Sequence, residues 1–277
     1  MITIARSSDT DREVLFGNAA DRAGIMNPAI VEKDFWVSFA LDYLFHKSPW
    51  PQSFIFKGGT SLSKAYHVIE RFSEDIDLIM DWRLLGYGIR EPWEERSKTQ
   101  QDKFNKKTVA GASEFLTKTF APRMEQDISD LIGRNVVVRM DPDDSEQCTV
   151  NFFYPHVFNT NYLRQEIRLE IGPLAEWVPS HPVTITSTAA EQFPTAFSQA
   201  DTIVPRSMPH PVWISLQQLS MNPTQKTRQE RAWPVPAVSV FSLQETGLRK
   251  RFPTGKVFHS MLLLLLQFLL SFRWVMR

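Results

Sequence analysis

Residues 54–80, FIFKGGTSLSKAYHVIERFSEDIDLIM, constrain the fold of this chain more than any other stretch. Phe54-Ile55-Phe56 is a short apolar run suited to a strand, and Lys57-Gly58-Gly59 ends it. Residues 60–69, TSLSKAYHVI, read as a helix, with Leu62, Ala65, Tyr66 and Ile69 on one side. Residues 75–80, DIDLIM, alternate acid and aliphatic, the period-2 pattern of a second strand. A strand, a double-glycine turn, a helix and a strand in such close succession require a sheet with a helix packed beside it.

The flanking sequence extends this plan. Asn27-Pro28 followed by AIVEKDFWVSFALDYLF predicts a capped helix, with Asn27 as N-cap and Pro28 at the first helical position. Ile30, Phe35, Val37, Leu41 and Leu44 form its broad apolar face. Residues 94–133 are helical in composition, with a break expected at Pro122. Residues 135–140 (NVVVRM) and 148–154 (CTVNFFY) predict two strands joined by an acidic hairpin loop. Residues 166–171 (EIRLEI) form another alternating strand, ended by Gly172-Pro173. A short strand at 184–186 and a short helix at 189–197 follow. The pattern is α+β: a small mixed β-sheet with packed helices.

Composition enters the argument by exclusion. The 277 residues are 43% hydrophobic and 22% charged, which argues against wholesale disorder and rod-like coiled coils. Cys148 is the only cysteine, so neither an internal disulfide framework nor a Cys-rich zinc site is available. The N-terminal residues carry acids early and no apolar core, so no signal peptide is expected and a cytoplasmic setting is the default. The zero net charge hides an asymmetry: residues 207–277 sum to +7 and residues 1–206 to −7. The apolar run at 261–270 is shorter than the roughly 20 residues needed to span a bilayer, so no membrane association is expected.

Residues 54–80 also carry the chemistry. Gly58 and Gly59 permit positive φ and a close approach of backbone to ligand. Thr60 and Ser61 place hydroxyls beside the unpaired N–H groups of a helix N-terminus, which attract phosphate. Asp75 and Asp77, two apart on a strand, share a face and can hold Mg²⁺ with waters and phosphates completing its shell. A phosphate cradle beside a carboxylate pair is what metal-assisted phosphoryl or nucleotidyl transfer needs. The chain has no Walker G-x-x-x-x-G-K-[ST] motif, no G-x-G-x-x-G after a strand and no H-E-x-x-H.

These residues carry a resemblance. FKGGTSLSKAYHVIERFSEDIDL resembles the AbiEii/AbiGii nucleotidyltransferase toxins, within the DNA polymerase β-like nucleotidyltransferase superfamily. The likeness extends more loosely over residues 25–205. It implies a small mixed sheet bearing the active site, and transfer of a nucleoside monophosphate from an NTP with Mg²⁺ or Mn²⁺. It implies Asp75 and Asp77 as the metal-binding pair and Glu170 as a third carboxylate that helps deprotonate the acceptor. Gly58, Gly59, Thr60 and Ser61 match the phosphate-binding turn. Ser73 sits where relatives have a serine close to the metal, and Arg168 shares a strand face with Glu170 where it can meet the triphosphate. Lys57 and Lys64 are candidate phosphate contacts. The expected acceptor is an RNA, such as tRNA, or a protein, and the expected partner is a cognate antitoxin of a toxin–antitoxin or abortive-infection pair.

The resemblance stops near Arg206. The R-T-F-W-E-K and S-R-H-Y-Y-D-L-like stretches of the family have no counterpart beyond it. The expected division is therefore a nucleotidyltransferase-like domain at 1–206 and a divergent or frameshifted segment at 207–277. Two other functional readings stay open at this point. One is a catalytically impaired relative that only binds an antitoxin or nucleic acid. The other is a kinase-like phosphotransferase, which would transfer the γ-phosphate.

Overall fold

A computed structural model describes residues 1–66, 74–88, 90–173, 180–199 and 201–207. Ser73, the apolar run at 261–270 and the rest of 208–277 lie outside the described residues. In chain order the first elements are α1 (Ile2–Arg6), α2 (Asp9–Ala23), α3 (Pro28–His46), β1 (Phe54–Lys57), α4 (Gly58–Tyr66) and β2 (Ile76–Met80). Then come α5 (Lys98–Phe115), α6 (Ala121–Ile132), β3 (Val137–Met140), β4 (Thr149–Phe153), β5 (Glu166–Gly172), β6 (Ser180–Thr186), α7 (Thr188–Gln192) and β7 (Asp201–Ser207). The strands form one mixed sheet in the order β3-β4-β5-β2-β1-β7-β6. The β2–β5 and β1–β7 pairs are parallel, and the other neighbours are antiparallel.

Local chemistry sets the helix starts. Pro28 opens α3, and the Asn27 side chain accepts the Ala29 N–H at 3.0 Å. This cap satisfies a donor that α3 cannot satisfy internally. Replacing Asn27 with alanine is expected to lower unfolding stability by about 1 kcal/mol, read by urea denaturation. An unchanged midpoint would show that the cap contributes nothing.

The structure departs from the sequence expectation for α3. A single apolar face is expected, but every residue from Val31 to Phe45 is buried. Helix α2 covers one side, α7 another, and the sheet at β5 and β7 a third. Phe35, Trp36 and Phe39 pack edge-to-face or tilted among Phe16, Phe152 and Phe197, and Trp36 stacks on Tyr154, forming the centre of the core.

Pro122 does not break its helix. Helices α5 and α6 run into each other through a π turn at Leu116–Phe120. Proline lacks the N–H that would reach back one turn, and its ring crowds the carbonyl there; the wider turn just before it relieves both problems.

The strands expected at 54–56, 75–80, 135–140, 148–154 and 166–171 are present, and two further features appear. Strand β6 begins at Ser180 and β7 is additional. Each contains a proline, and Pro182 faces Pro205 across the pair. A proline removes a ladder donor, which is tolerated on β6 because it is an edge strand.

Candidate active site

The central strands have two chemically distinct faces. On β5, Ile167, Leu169 and Ile171 are buried in the core, whereas Glu166, Arg168, Glu170 and Gly172 are half-buried on the opposite face. On β2, Ile76, Leu78 and Met80 enter the same core, leaving Asp77 on that second face. Pairing then lines up the polar residues. Asp77 is in register with Glu170 on β5 and with Lys57 on β1, and Glu170 with Thr149 on β4. Directly opposed residues of adjacent strands share a face. Thr149, Glu170, Asp77 and Lys57 therefore form a row across four strands. Arg168 and Asn151 start the next row, and the Asn151 side-chain oxygen is buried without a hydrogen-bond partner.

The glycine turn abuts this row. Helix α4 begins at Gly58 with no intervening loop after β1. Gly58 has φ +76°, and a Cβ there would lie 1.7 Å from Asp77 Oδ2. No side chain fits between the turn and the carboxylate. The Gly59 N–H donates to Asp77, so the first turn of α4 faces an anion. Lys57 reaches over β5: its Nζ is 3.9 Å from the position a Cβ on Gly172 would occupy.

Electrostatics mark Asp77 as the focus of the site. Burial pushes its pKa up to about 6, and repulsion from Glu170 and Asp75 adds to the rise. The charge of Lys57 and the Gly59 N–H act in the opposite direction without cancelling it. Asp75 and Glu170 beside the buried Asp77 make this a centre of excess negative charge, the condition a divalent cation relieves. Among the described residues, no three His, Cys, Asp or Glu side chains close on one point that would hold an ion. A carboxylate pair nonetheless suits Mg²⁺, which takes one or two carboxylates and fills its shell with water and substrate phosphates. Arg168 is steered towards the site by two acids: its Nε is 3.1 Å from Asp141 and its Nη1 is 3.4 Å from Glu170.

Of the residues expected from sequence, Lys57, Gly58, Gly59, Asp75, Asp77, Arg168 and Glu170 come together around this face. Thr60 and Ser61 are buried, and their hydroxyls are used internally. Thr60 Oγ1 donates to the Asp75 carbonyl, and Ser61 Oγ donates to the Gly58 carbonyl at 2.8 Å. They brace the turn rather than present hydroxyls to a ligand. Lys64 also departs from expectation. Its ammonium is buried against Asp34 at 2.6 Å and donates to the Thr186 carbonyl at 3.3 Å, so it is not free for a phosphate. Ser73 lies outside the described residues.

Four charged residues around the site, Lys33, Asp34, Glu74 and Asp141, are not among those given a role from the sequence. Glu32, Lys33 and Asp34 are consecutive charges in a helix too apolar to have a wet face, and that mismatch is the one signal the sequence offers for them.

An anionic strand face against a glycine turn and a helix N-terminus can hold a cation and a polyphosphate side by side. Residues 41–204 match the family model described as nucleotidyl transferase AbiEii toxin, type IV TA system. This is more than half of the chain, and the chain belongs to that family. No curated protein sequence matches it. Among solved structures, it is similar to MenT4, a nucleotidyltransferase toxin of Mycobacterium tuberculosis H37Rv, at 14% identity over 71% of this chain with a TM-score of 0.39. The chain spans about half, 55%, of the length of that structure.

Proposed function

We propose that this protein is the nucleotidyltransferase toxin of a toxin–antitoxin pair. It would transfer a nucleoside monophosphate from an NTP to a hydroxyl of an RNA or protein acceptor in the cytoplasm. Residues 1–206 would form the transferase domain, and 207–277 a divergent segment. The observation that carries the reading is the register that sets Asp77 beside Glu170, with Gly58 pressed against the Asp77 carboxylate.

In this reading Asp75 and Asp77, with Glu170 alongside, would hold Mg²⁺ or Mn²⁺, and the ion would neutralise charge on the triphosphate. The backbone at Gly58 and Gly59 admits the phosphates closely, and Lys57 and Arg168 face their charge. The acceptor oxygen attacks the α-phosphorus and gives its proton to Glu170. The bond from the α-phosphorus to the bridging oxygen breaks, and pyrophosphate leaves. Most of the rate comes from positioning and charge stabilisation.

The test uses two labels. Protein incubated with Mg²⁺, total RNA and α-labelled NTPs is expected to incorporate label, whereas γ-labelled NTPs give none. Asp75→Ala is expected to abolish incorporation. Transfer of the γ-label would make the protein a kinase. Nucleotide binding without any transfer would make it a binding-only relative.

A further inference from the structure

We infer that Lys33 and Asp34, adjacent on α3, are positioning residues that hold the two halves of the site at a fixed separation. The inference rests on the nucleotidyltransferase reading for its purpose, although its geometry stands apart from it. The two halves are the Gly58–Gly59 turn on α4 and the acidic strand entry at Asp75, and in sequence they are joined through residues 67–73. Neighbouring residues on a helix point about 100° apart, so one consecutive pair can serve two separate targets.

Lys33 takes the strand entry. Its ammonium, with a side chain only 1% exposed, bonds Glu74 Oε2 at 2.6 Å and the Arg164 carbonyl at 2.8 Å. Glu74 immediately precedes Asp75, and Arg164 lies just ahead of β5, which bears Glu170. A single buried cation thus ties the approaches to both acidic strands to the core helix.

Asp34 takes the glycine turn. Its carboxylate pairs with Lys64 of α4 at 2.6 Å and accepts the Thr188 N–H at 2.7 Å. Lys64 in turn donates to the Thr186 carbonyl. Helix α4 is therefore pinned between α3 and the β6–α7 junction. The Thr60 hydroxyl then closes the frame by bonding the Asp75 carbonyl.

Energetics favour a geometric role for these ions. Burying two charges costs several kcal/mol per ion before pairing, and apolar substitutes of similar volume are often neutral or better. Asp42, on the same helix, offers an internal comparison. It is also buried, beside Lys47 and the Thr202 hydroxyl at 3.1 Å, but none of its partners belongs to the site.

The experiment compares Lys33→Met, Asp34→Asn and the milder Glu74→Gln with Asp42→Asn as a matched buried-charge control. Backbone hydrogen exchange is read without ligand. Lys33→Met and Glu74→Gln are expected to speed exchange at residues 75–80, and Asp34→Asn at residues 58–61. Asp42→Asn should affect neither. Affinity for an α,β-methylene NTP analogue with Mg²⁺ is then expected to fall about tenfold or more in the first three and to hold in the control. Should Lys33→Met not fold, Glu74→Gln, on a partly exposed side chain, carries the strand-entry arm. Wild-type exchange at both segments in the folded variants would overturn the inference, as would equal effects from Asp42→Asn. If exchange changes as expected while the wild type takes no Mg²⁺–nucleotide, the nucleotidyltransferase reading falls and the positioning role stands.

Discussion

Gly58→Ala is expected to eliminate nucleotidyl transfer and to destabilise the fold together. Two independent penalties coincide at this position. The backbone adopts φ +76°, which an L-residue enters at a cost of about 1–3 kcal/mol. The added methyl would also sit 1.7 Å from Asp77 Oδ2, a distance no rotamer of alanine can relieve. Either the turn withdraws or Asp77 rotates away, and each outcome separates the phosphate side of the site from the acidic side. A displacement on the order of 1 Å at reacting groups costs about 10²-fold in rate, so turnover should fall at least that far. Gly86 is the natural control. It has φ +83°, but a Cβ added there would meet nothing within 4 Å, so Gly86→Ala tests strain without the clash. Thermal melts and single-turnover rates of the two variants decide the matter. Gly58→Ala with wild-type turnover would remove the turn from the site.

Asp77→Asn is expected to move activity and stability in opposite directions. Loss of the proposed metal-binding carboxylate should cost several kcal/mol of transition-state stabilisation, about 10³-fold in rate. The metal-free protein, however, should become more stable. Asp77 ionises near pH 6 in the fold and at its ordinary value of 3.8 when unfolded. An acid with a raised folded pKa loses stability as pH rises, because the unfolded chain gives up its proton more readily. Below about pH 4 the penalty is absent; it grows towards about pH 6 and is flat above that. At its full extent it is on the order of 2–3 kcal/mol, or roughly 5 °C in melting temperature. Asparagine keeps the shape and the acceptor for the Gly59 N–H while discarding the charge. Melts from pH 4 to 8 in EDTA should show the gap between variant and wild type opening over that window, and Mg²⁺ with NTP should narrow it. A gap independent of pH would show that Asp77 is not the strained group.

Much of this architecture is legible in the residues alone. Asn27-Pro28 announces the start of α3 because capping and φ preference are local. The alternation in DIDLIM and EIRLEI separates core from site face because successive strand side chains point to opposite faces. Neither pattern reveals which strands become neighbours. The pairing of Asp77 with Glu170 therefore comes only through resemblance until the β2–β5 register supplies it. What stays hidden depends on long-range packing. A helix pattern cannot report that α2, α7 and the sheet will enclose α3 on all sides, so the partners of Lys33 and Asp34 stay hidden. Pro122 looks like a stop because the π turn that accommodates it has no signature of its own. Pro182 masks the start of β6 for a related reason: local grammar forbids what an edge position allows. Lys64 is a candidate phosphate contact in the sequence, but its partner, Asp34, lies far earlier in the chain.

The parallel seam between β2 and β5 has a consequence for synthesis. The acids facing each other across it come from well-separated parts of the chain, with the whole β3–β4 hairpin made in between. A nascent chain that has emerged only as far as the hairpin carries the glycine turn and the first two acids but no third. An abandoned translation product of that length would lack the complete acidic centre, which is assembled only once β5 has been made.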